Sequence, residues 1–159
     1  MNAELAAIFT TDQADRSDWQ TIDWSIVRPR DEARRRRVDE ILAAGGATTA
    51  DDYYHAAMVY QHGGEIDDSR RAHALAQQAV AIDPTHAKAR WLCCASEDRL
   101  LMREERPQRW GTQFELVDGV WRLYPVDGSV DDEERARWNV PSLAEAHRKA
   151  ARFNDGHSS

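Results

Sequence analysis

Asp98-Arg99-Leu100-Leu101-Met102-Arg103 leads into Gln108-Arg109-Trp110-Gly111-Thr112-Gln113 and then into Phe114-Glu115-Leu116-Val117-Asp118-Gly119-Val120-Trp121-Arg122-Leu123-Tyr124. Within this stretch the apolar pattern changes from a helical period to a strand period. Asp118-Gly119 is a two-residue turn signal between β-prone runs. Counting outward from it pairs Val117 with Val120, Leu116 with Trp121, Glu115 with Arg122, Phe114 with Leu123 and Gln113 with Tyr124. Phe114, Leu116, Trp121 and Leu123 then share the face expected to pack on helices, and the Glu115–Arg122 ion pair takes the other. Gln113 falls at the base of the hairpin, beside the helical body.

Upstream, Ala87, Trp91, Cys94, Asp98 and Leu101 are spaced four, three, four and three apart, so they share one helical stripe. Asp98 interrupts an otherwise apolar seam, where a carboxylate is costly unless something pairs with it. Asp83 and Pro84 read as the cap and first position of this helix. Residues 69–82 form an amphipathic helix with Ala72, Leu75, Ala76, Ala79 and Ile82 on its apolar side. Thr49 caps another helix, with Asp52 at its third position, running to about His62 before Gly63-Gly64. His55 and His62 lie on one stripe of it but about 10 Å apart. Zinc bonds are only about 2 Å long, so no metal site is expected there.

Pro29 reads as the first turn of a helix reaching Gly45-Gly46. Its Arg34-Arg35-Arg36-Arg37 run is read as a solvated face balanced by Asp31, Glu32, Asp39 and Glu40. A short helix over residues 2–9 precedes the polar stretch Thr11 to Arg16, with Trp19 and Trp24 as anchoring aromatics. Toward the end, Asp131–Trp138 is a short helix, and Ser142-Leu143-Ala144-Glu145 is a capping box opening a last helix through Phe153. Asn154 onward is expected to fray.

These elements predict a mainly α fold: one compact helical domain over residues 1–155, a C-terminal β-hairpin at about 108–125, and a disordered tail at 156–159. Of the 159 residues, 42% are hydrophobic and 31% charged, a globular balance. A net charge of −7 argues against general nucleic-acid binding, which needs a basic surface. No apolar run approaches the ~20 residues that span a bilayer. The first ten residues carry Glu4 and no basic n-region, so no signal peptide is read and a cytoplasmic location is expected. Cys93 and Cys94 diverge by about 100° on a helix and read as small core residues in a reducing compartment.

Two resemblances follow from the motifs. Tyr53 to Leu101, with Ala79-Val80-Ala81-Ile82-Asp83-Pro84 at its centre, looks like a tetratricopeptide-type helical hairpin, without the 34-residue repetition of a true array. More of the chain, about residues 5–150, resembles a bacterial family of unknown function. That family joins a Gln-His pair, an Asp-Arg pair, a Gln-x-x-Gly-Thr-Gln run and an Asp-x-x-Arg segment. Here they are Gln61-His62, Asp98-Arg99, Gln108 to Gln113, and Asp132 to Arg135, with Asp12-Gln13-Ala14-Asp15-Arg16 near the start. The resemblance implies a helical domain with one hairpin and no assigned chemistry. In that family the turn before Gln108 contains glycine; here it reads Arg103-Glu104-Glu105-Arg106-Pro107.

The candidate site gathers His62, Asp98 and Arg99 as catalytic residues. Asp12, Gln13, Asp15, Arg16, Gln61, Gln108, Thr112 and Gln113 are the candidate substrate-binding residues. His62 suits general acid–base work near neutral pH, and Asp98 is placed to orient it or to pair with Arg99 or Arg16. Arg16 and Arg99 suit a bidentate grip on a carboxylate or phosphate. No nucleophile elbow or phosphate-binding glycine loop is present. The expected function is binding of, or action on, a small polar or peptide-like molecule, without metal or cofactor. The alternatives are a tetratricopeptide-like module for a protein partner and an acidic accessory or neutralising protein without catalysis.

Overall fold

In a computed structural model, residues 1–18 and 21–155 are described; the predictions for Trp19 and for the tail at 156–159 fall outside them. The elements run α1 (Ala3–Ala14), α2 (Trp24–Ala43), α3 (Ala50–Gln61), α4 (Ile66–Ile82), α5 (Ala87–Arg103), β1 (Phe114–Val117), β2 (Val120–Leu123), α6 (Asp132–Arg137) and α7 (Leu143–Asp155). The fold is mainly α with one antiparallel hairpin, as the sequence predicts.

Helices α3, α4 and α5 pack successively on one another, with α1 and α2 against α3. Ala56 and Ala57 on α3, Ala72, Ala76 and Ala79 on α4, and Ala89 on α5 are all fully buried. Such small side chains let helix axes approach closely. Leu5, Val38, Ile41, Val59, Leu75 and Leu92 fill the core around them. A second cluster forms where the chain leaves α5: Cys94, Trp110, Val130 and Val140, with the Trp110 and Trp138 rings 5.7 Å apart.

The hairpin register is the predicted one, from Phe114↔Leu123 to Val117↔Val120. Asp118 and Gly119 both take positive φ, +51° and +78°, as the right-handed strand twist requires of a two-residue turn. Phe153 of α7 meets Phe114 and Trp121 edge-on, at 5.3 and 5.7 Å. The predicted packing face is only partly covered, because Leu116 lies beyond α7 and is 56% exposed. Asn154 does not fray: its side chain accepts from the Trp121 N–H and donates to the Trp121 carbonyl.

Several boundaries differ from the sequence reading. α1 continues to Ala14, because the polar run from Thr10 keeps helical geometry and buries Asp12. α2 begins at Trp24, capped by Asp23, whose carboxylate accepts from the Ser25 N–H and hydroxyl. Pro29 therefore lies inside the helix, at the cost of the bond to the Ser25 carbonyl. Trp24 is 48% exposed rather than an anchor. Asp83 ends α4 and folds back on Thr85, so His86 caps α5 by accepting from the Ala89 N–H. The arginine run is not one solvated face. Arg34 pairs with Asp15 and Asp31, Arg35 with Asp68 of α4, and Arg37 with Glu4 of α1; only Arg36 pairs solely with an exposed acid of its own helix, Glu32.

Glu105, in the turn between α5 and Gln108, sits at φ +56°. A side chain in this left-handed region costs about 1–2 kcal/mol, offset in part by the entropy glycine adds to the unfolded chain. Glu105→Gly is expected to raise stability by about 0.5–1 kcal/mol in chemical denaturation. A loss of stability would show that the Glu105 side chain contributes more than its backbone costs.

Asp52 ties the start of α1 to α3. It is fully buried and accepts from the Asn2, Thr48 and Thr49 backbone N–H groups, while Asn2 caps α1. Burial pushes its carboxyl up, but these bonds pull it further down, to about 2. A depressed folded pKa contributes stability above the unfolded value near 4 that is lost as pH falls through 2. We expect urea unfolding to show about 2 kcal/mol of this loss between pH 5 and 2. In Asp52→Asn that acid slope should flatten and stability at pH 7 should drop; an unchanged slope would reject the assignment.

Candidate functional site

The loop after α5 is built around Asp98. This carboxylate is fully buried. Oδ1 accepts from the Arg109 and Trp110 N–H groups at 2.8 and 2.9 Å, and Oδ2 from the Thr112 N–H and hydroxyl at 3.0 and 2.7 Å. Burial pushes the Asp98 carboxyl up against the pull of these four bonds. Gly111 completes the wrap at φ +82°, where a Cβ would lie 2.9 Å from Leu143. Arg135, 1% exposed, closes the outside by donating to the Trp110 and Arg109 carbonyls.

Gln108 locks the hairpin base. Its Oε1 accepts from the Gln113 N–H, and its Nε2 donates to the Gln113 and Tyr124 carbonyls. Asp98 is thus occupied by backbone and the Thr112 hydroxyl and Gln108 by backbone, and neither lines the cavities that His62 borders. Asp98 reaches neither His62 nor Arg99, so its expected orienting role falls to another acid.

That acid is Asp12. It is fully buried, and its Oδ2 lies 2.8 Å from His62 Nδ1. It also accepts from Arg16 and from Gln13 Nε2. With a carboxylate that only accepts, His62 Nδ1 must carry the hydrogen, which leaves the Nε2 lone pair for another proton. Arg16 bridges Asp12 to Asp31, and Arg34 bridges Asp31 to Asp15, so the acids behind His62 are all held by arginines.

His62 lines a cavity of 570 Å³ between α1, α3, α5, the hairpin and α7. Six of the predicted site residues line it together: Gln13, Gln61, His62, Arg99, Thr112 and Gln113. Asp12 and Arg16 stand behind His62, and Asp15 is drawn to Arg30 and Arg34. The Ala95 carbonyl accepts from both Gln61 Nε2 and Gln113 Nε2, which sets the two glutamines side by side. Arg99 threads between them, donating Nε–H to Gln113 Oε1 and Nη1–H to the Gln61 carbonyl. Burial, then Arg103 and Arg16, pull Arg99 down to about 10, so it stays cationic at neutral pH. His62 also borders a second cavity of 560 Å³ with Trp24, Arg28 and Arg35; both cavities are open to solvent.

The sequence reading missed the opposite wall: Trp91, Phe114, Trp121, Lys149 and Phe153. Lys149 lies 5.4 Å from the Phe114 ring centroid and 5.8 Å from that of Phe153, and burial together with Arg152 lowers its pKa. The signal was the Ala146, Lys149, Ala150, Phe153 spacing on α7, which matches the aromatic face of the hairpin. It also missed Glu97, which accepts from Trp110 Nε1 and Arg109. Cys93 and Cys94 are buried and unbridged, with burial pushing the Cys93 thiol up to about 11. Among the described residues, no three His, Cys, Asp or Glu side chains converge as metal ligands, and no helix is long and apolar enough to cross a membrane.

No protein-family model, no curated protein and no solved structure matches the chain.

The occupancy of Asp98 has a direct consequence. In Asp98→Asn, the new amide N–H₂ would face donors instead of accepting from them. The loss is expected to be about 2–4 kcal/mol in chemical denaturation, since each unsatisfied buried group costs about 1–3 kcal/mol. A change below about 1 kcal/mol would free Asp98 for the chemical role that its surroundings deny it.

Proposed function

We propose that the protein binds a small polar or peptide-like molecule in the 570 Å³ cavity and acts on it by acid–base or electrostatic chemistry without a metal. The observation that carries this reading is the convergence of His62, oriented by Asp12, with Arg99 and the amides of Gln13, Gln61 and Gln113 around one space. A cavity of this size with a few convergent polar groups suits a small ligand. His62 Nε2 is the proton carrier: Asp12 fixes the tautomer and would stabilise the imidazolium formed when Nε2 takes a proton. Arg99 supplies fixed positive charge, and the glutamines read amide or hydroxyl groups on the ligand.

The reading keeps the likeness to the bacterial family with the Gln-His, Asp-Arg and Gln-x-x-Gly-Thr-Gln signatures. It also places the protein in the cytoplasm, where two buried free thiols stay reduced. A tetratricopeptide-like module would need an open groove along residues 51–101 with its polar groups tied up internally. Helices α3 to α5 do pack successively, but Gln61, His62 and Arg99 border the cavity, which favours the ligand reading over that alternative.

The test is a thermal-shift screen against small polar molecules and dipeptides, with each hit then followed by NMR for conversion. At least one compound should raise the melting temperature. Conversion, where seen, should fall about 10²–10⁴-fold in His62→Gln while the melting temperature moves by only a few degrees. A screen with no stabilising compound, or equal turnover by His62→Gln, would sink the reading.

A further inference from the structure

The cavity has a charge opposite to that of the chain around it. The net charge is −7, yet the groups lining this space include two cations, Arg99 and Lys149, and no carboxylate. Asp12 sits behind His62 and is already satisfied by Arg16, Gln13 and His62.

Arg99 differs from Arg16, Arg34 and Arg135, and from Arg103, which also has no ion pair among the described residues but spends its donors on the Gly63 and Glu65 carbonyls and the Ser69 hydroxyl away from this space. Arg16 and Arg34 each hold two aspartates, and Arg135 holds Asp132. Arg99 forms no ion pair among the described residues; its two acceptors, Gln113 Oε1 and the Gln61 carbonyl, are neutral. A guanidinium has five N–H donors, so three lack an acceptor among the described residues. Arg99 is half-buried and has no counter-charge there, and an anion entering the cavity supplies one. The Nη edge left open suits the two oxygens of a carboxylate.

Two further atoms narrow the choice. Gln61 Oε1 and Trp121 Nε1 belong to residues lining the cavity and lack a hydrogen-bond partner among the described residues; both are covered in the empty cavity, so a ligand meets them only as those side chains turn toward it. One needs a donor and the other an acceptor. Gln61 also supplies the carbonyl that holds Arg99, so the demand for a donor and the demand for an anion arise at one residue. The remaining wall is apolar: Met58, Trp91, Phe114 and Phe153. Inorganic phosphate would answer the charge but would leave this wall and the indole N–H unused.

We propose that the cavity takes an acylated amino acid, the unit shared by free N-acyl amino acids and peptide C-termini. The carboxylate sits on Arg99, the amide N–H on Gln61 Oε1, the acyl oxygen on Trp121 Nε1–H, and the apolar group on the aromatic wall. Lys149 adds charge on the α7 side. This assignment rests on the proposed ligand-binding role of the cavity and names its ligand class.

Fluorine NMR titration with N-(4-fluorobenzoyl)glycine tests it, alongside the matching glycinamide and N-(4-fluorobenzoyl)-Ala-Ala-Gly. The glycinamide should bind about 10–100-fold more weakly than the carboxylate, the range set by a hydrogen bond to a charged group. Arg99→Gln should erase that difference. Trp121→Phe, which keeps an aromatic ring but loses the indole N–H and part of the ring area, should weaken both carboxylates at least about three- to tenfold and serves if Arg99→Gln does not fold. The tighter of the two carboxylates identifies the source, and either order supports the assignment. Equal binding of carboxylate and amide would overturn the ligand class while leaving the cavity reading intact. No binding by any of the three probes would overturn the ligand class; the cavity reading itself fails only if the thermal-shift screen is also empty.

Discussion

A carboxylate on the apolar seam of α5 has to be answered by donors, and Asp98 is answered by the chain that follows it. The helix phase puts Asp98 inside, and four donors from residues 109–112 must then fold back over α5 to meet it. That return fixes where the hairpin starts. Gly111 takes the left-handed conformation, Gln108 zips the base, and β2 comes to lie against α7. The wall of Phe114, Trp121, Lys149 and Phe153 exists because the loop is wound on Asp98. Substituting the carboxylate by an apolar residue would not reproduce this, because the loop amides would then lack acceptors in a dry site.

The other half of the cavity depends on a second buried network. Asp12, Asp31 and Asp15 alternate with Arg16 and Arg34, and each acid that faces inward has a cation on it. Such networks contribute little net stability, since desolvation offsets most of the attraction. Their effect here is positional. Arg16 takes Asp12 Oδ1, and Gln13 and His62 Nδ1 share Oδ2. α1 is thereby docked with one histidine tautomer selected.

Local signals were legible in the sequence, and long-range partners were not. The Asp118-Gly119 turn, the Thr49–Asp52 and Ser142–Glu145 boxes and the depth of Asp98 follow from residues within one turn or one strand pair. Six of the eleven candidate site residues line the cavity; the hairpin register placed Gln113 near the helical body and the helix phase placed His62 on its stripe, while Gln13, Gln61 and Thr112 came from short motifs that carry no facing. The partner of Asp98 was misjudged for a physical reason. A carboxylate on an apolar seam announces that it needs donors, but side-chain cations and backbone amides satisfy it equally well, and composition favours neither. Pro29 misled in the same manner: a proline tolerated at a first position is also tolerated inside a helix that Asp23 has already started. Lys149 shares the Ala146, Ala150 and Phe153 face of α7, but a lysine on an amphipathic helix ordinarily marks the solvent side, which masked that signal.

The two residues of the Asp98-Arg99 pair make the sharpest contrast in the molecule. They are adjacent and oppositely charged, and they do not pair. One helical step, about 100°, turns Asp98 toward the 109–112 loop and Arg99 toward the cavity. Asp98 ends with four donors on two oxygens; Arg99 ends with two neutral acceptors on five N–H groups. Had the two met, each would have cancelled the other, and the loop and the cavity would both have lost their organising charge. Keeping them apart sets the carboxylate to hold the scaffold and leaves the guanidinium with unfilled valence. Asp52 and Asp98 are filled by backbone donors and Asp12, Asp15 and Asp31 by arginines, so the unfilled valence of Arg99 is where an outside molecule has most to offer.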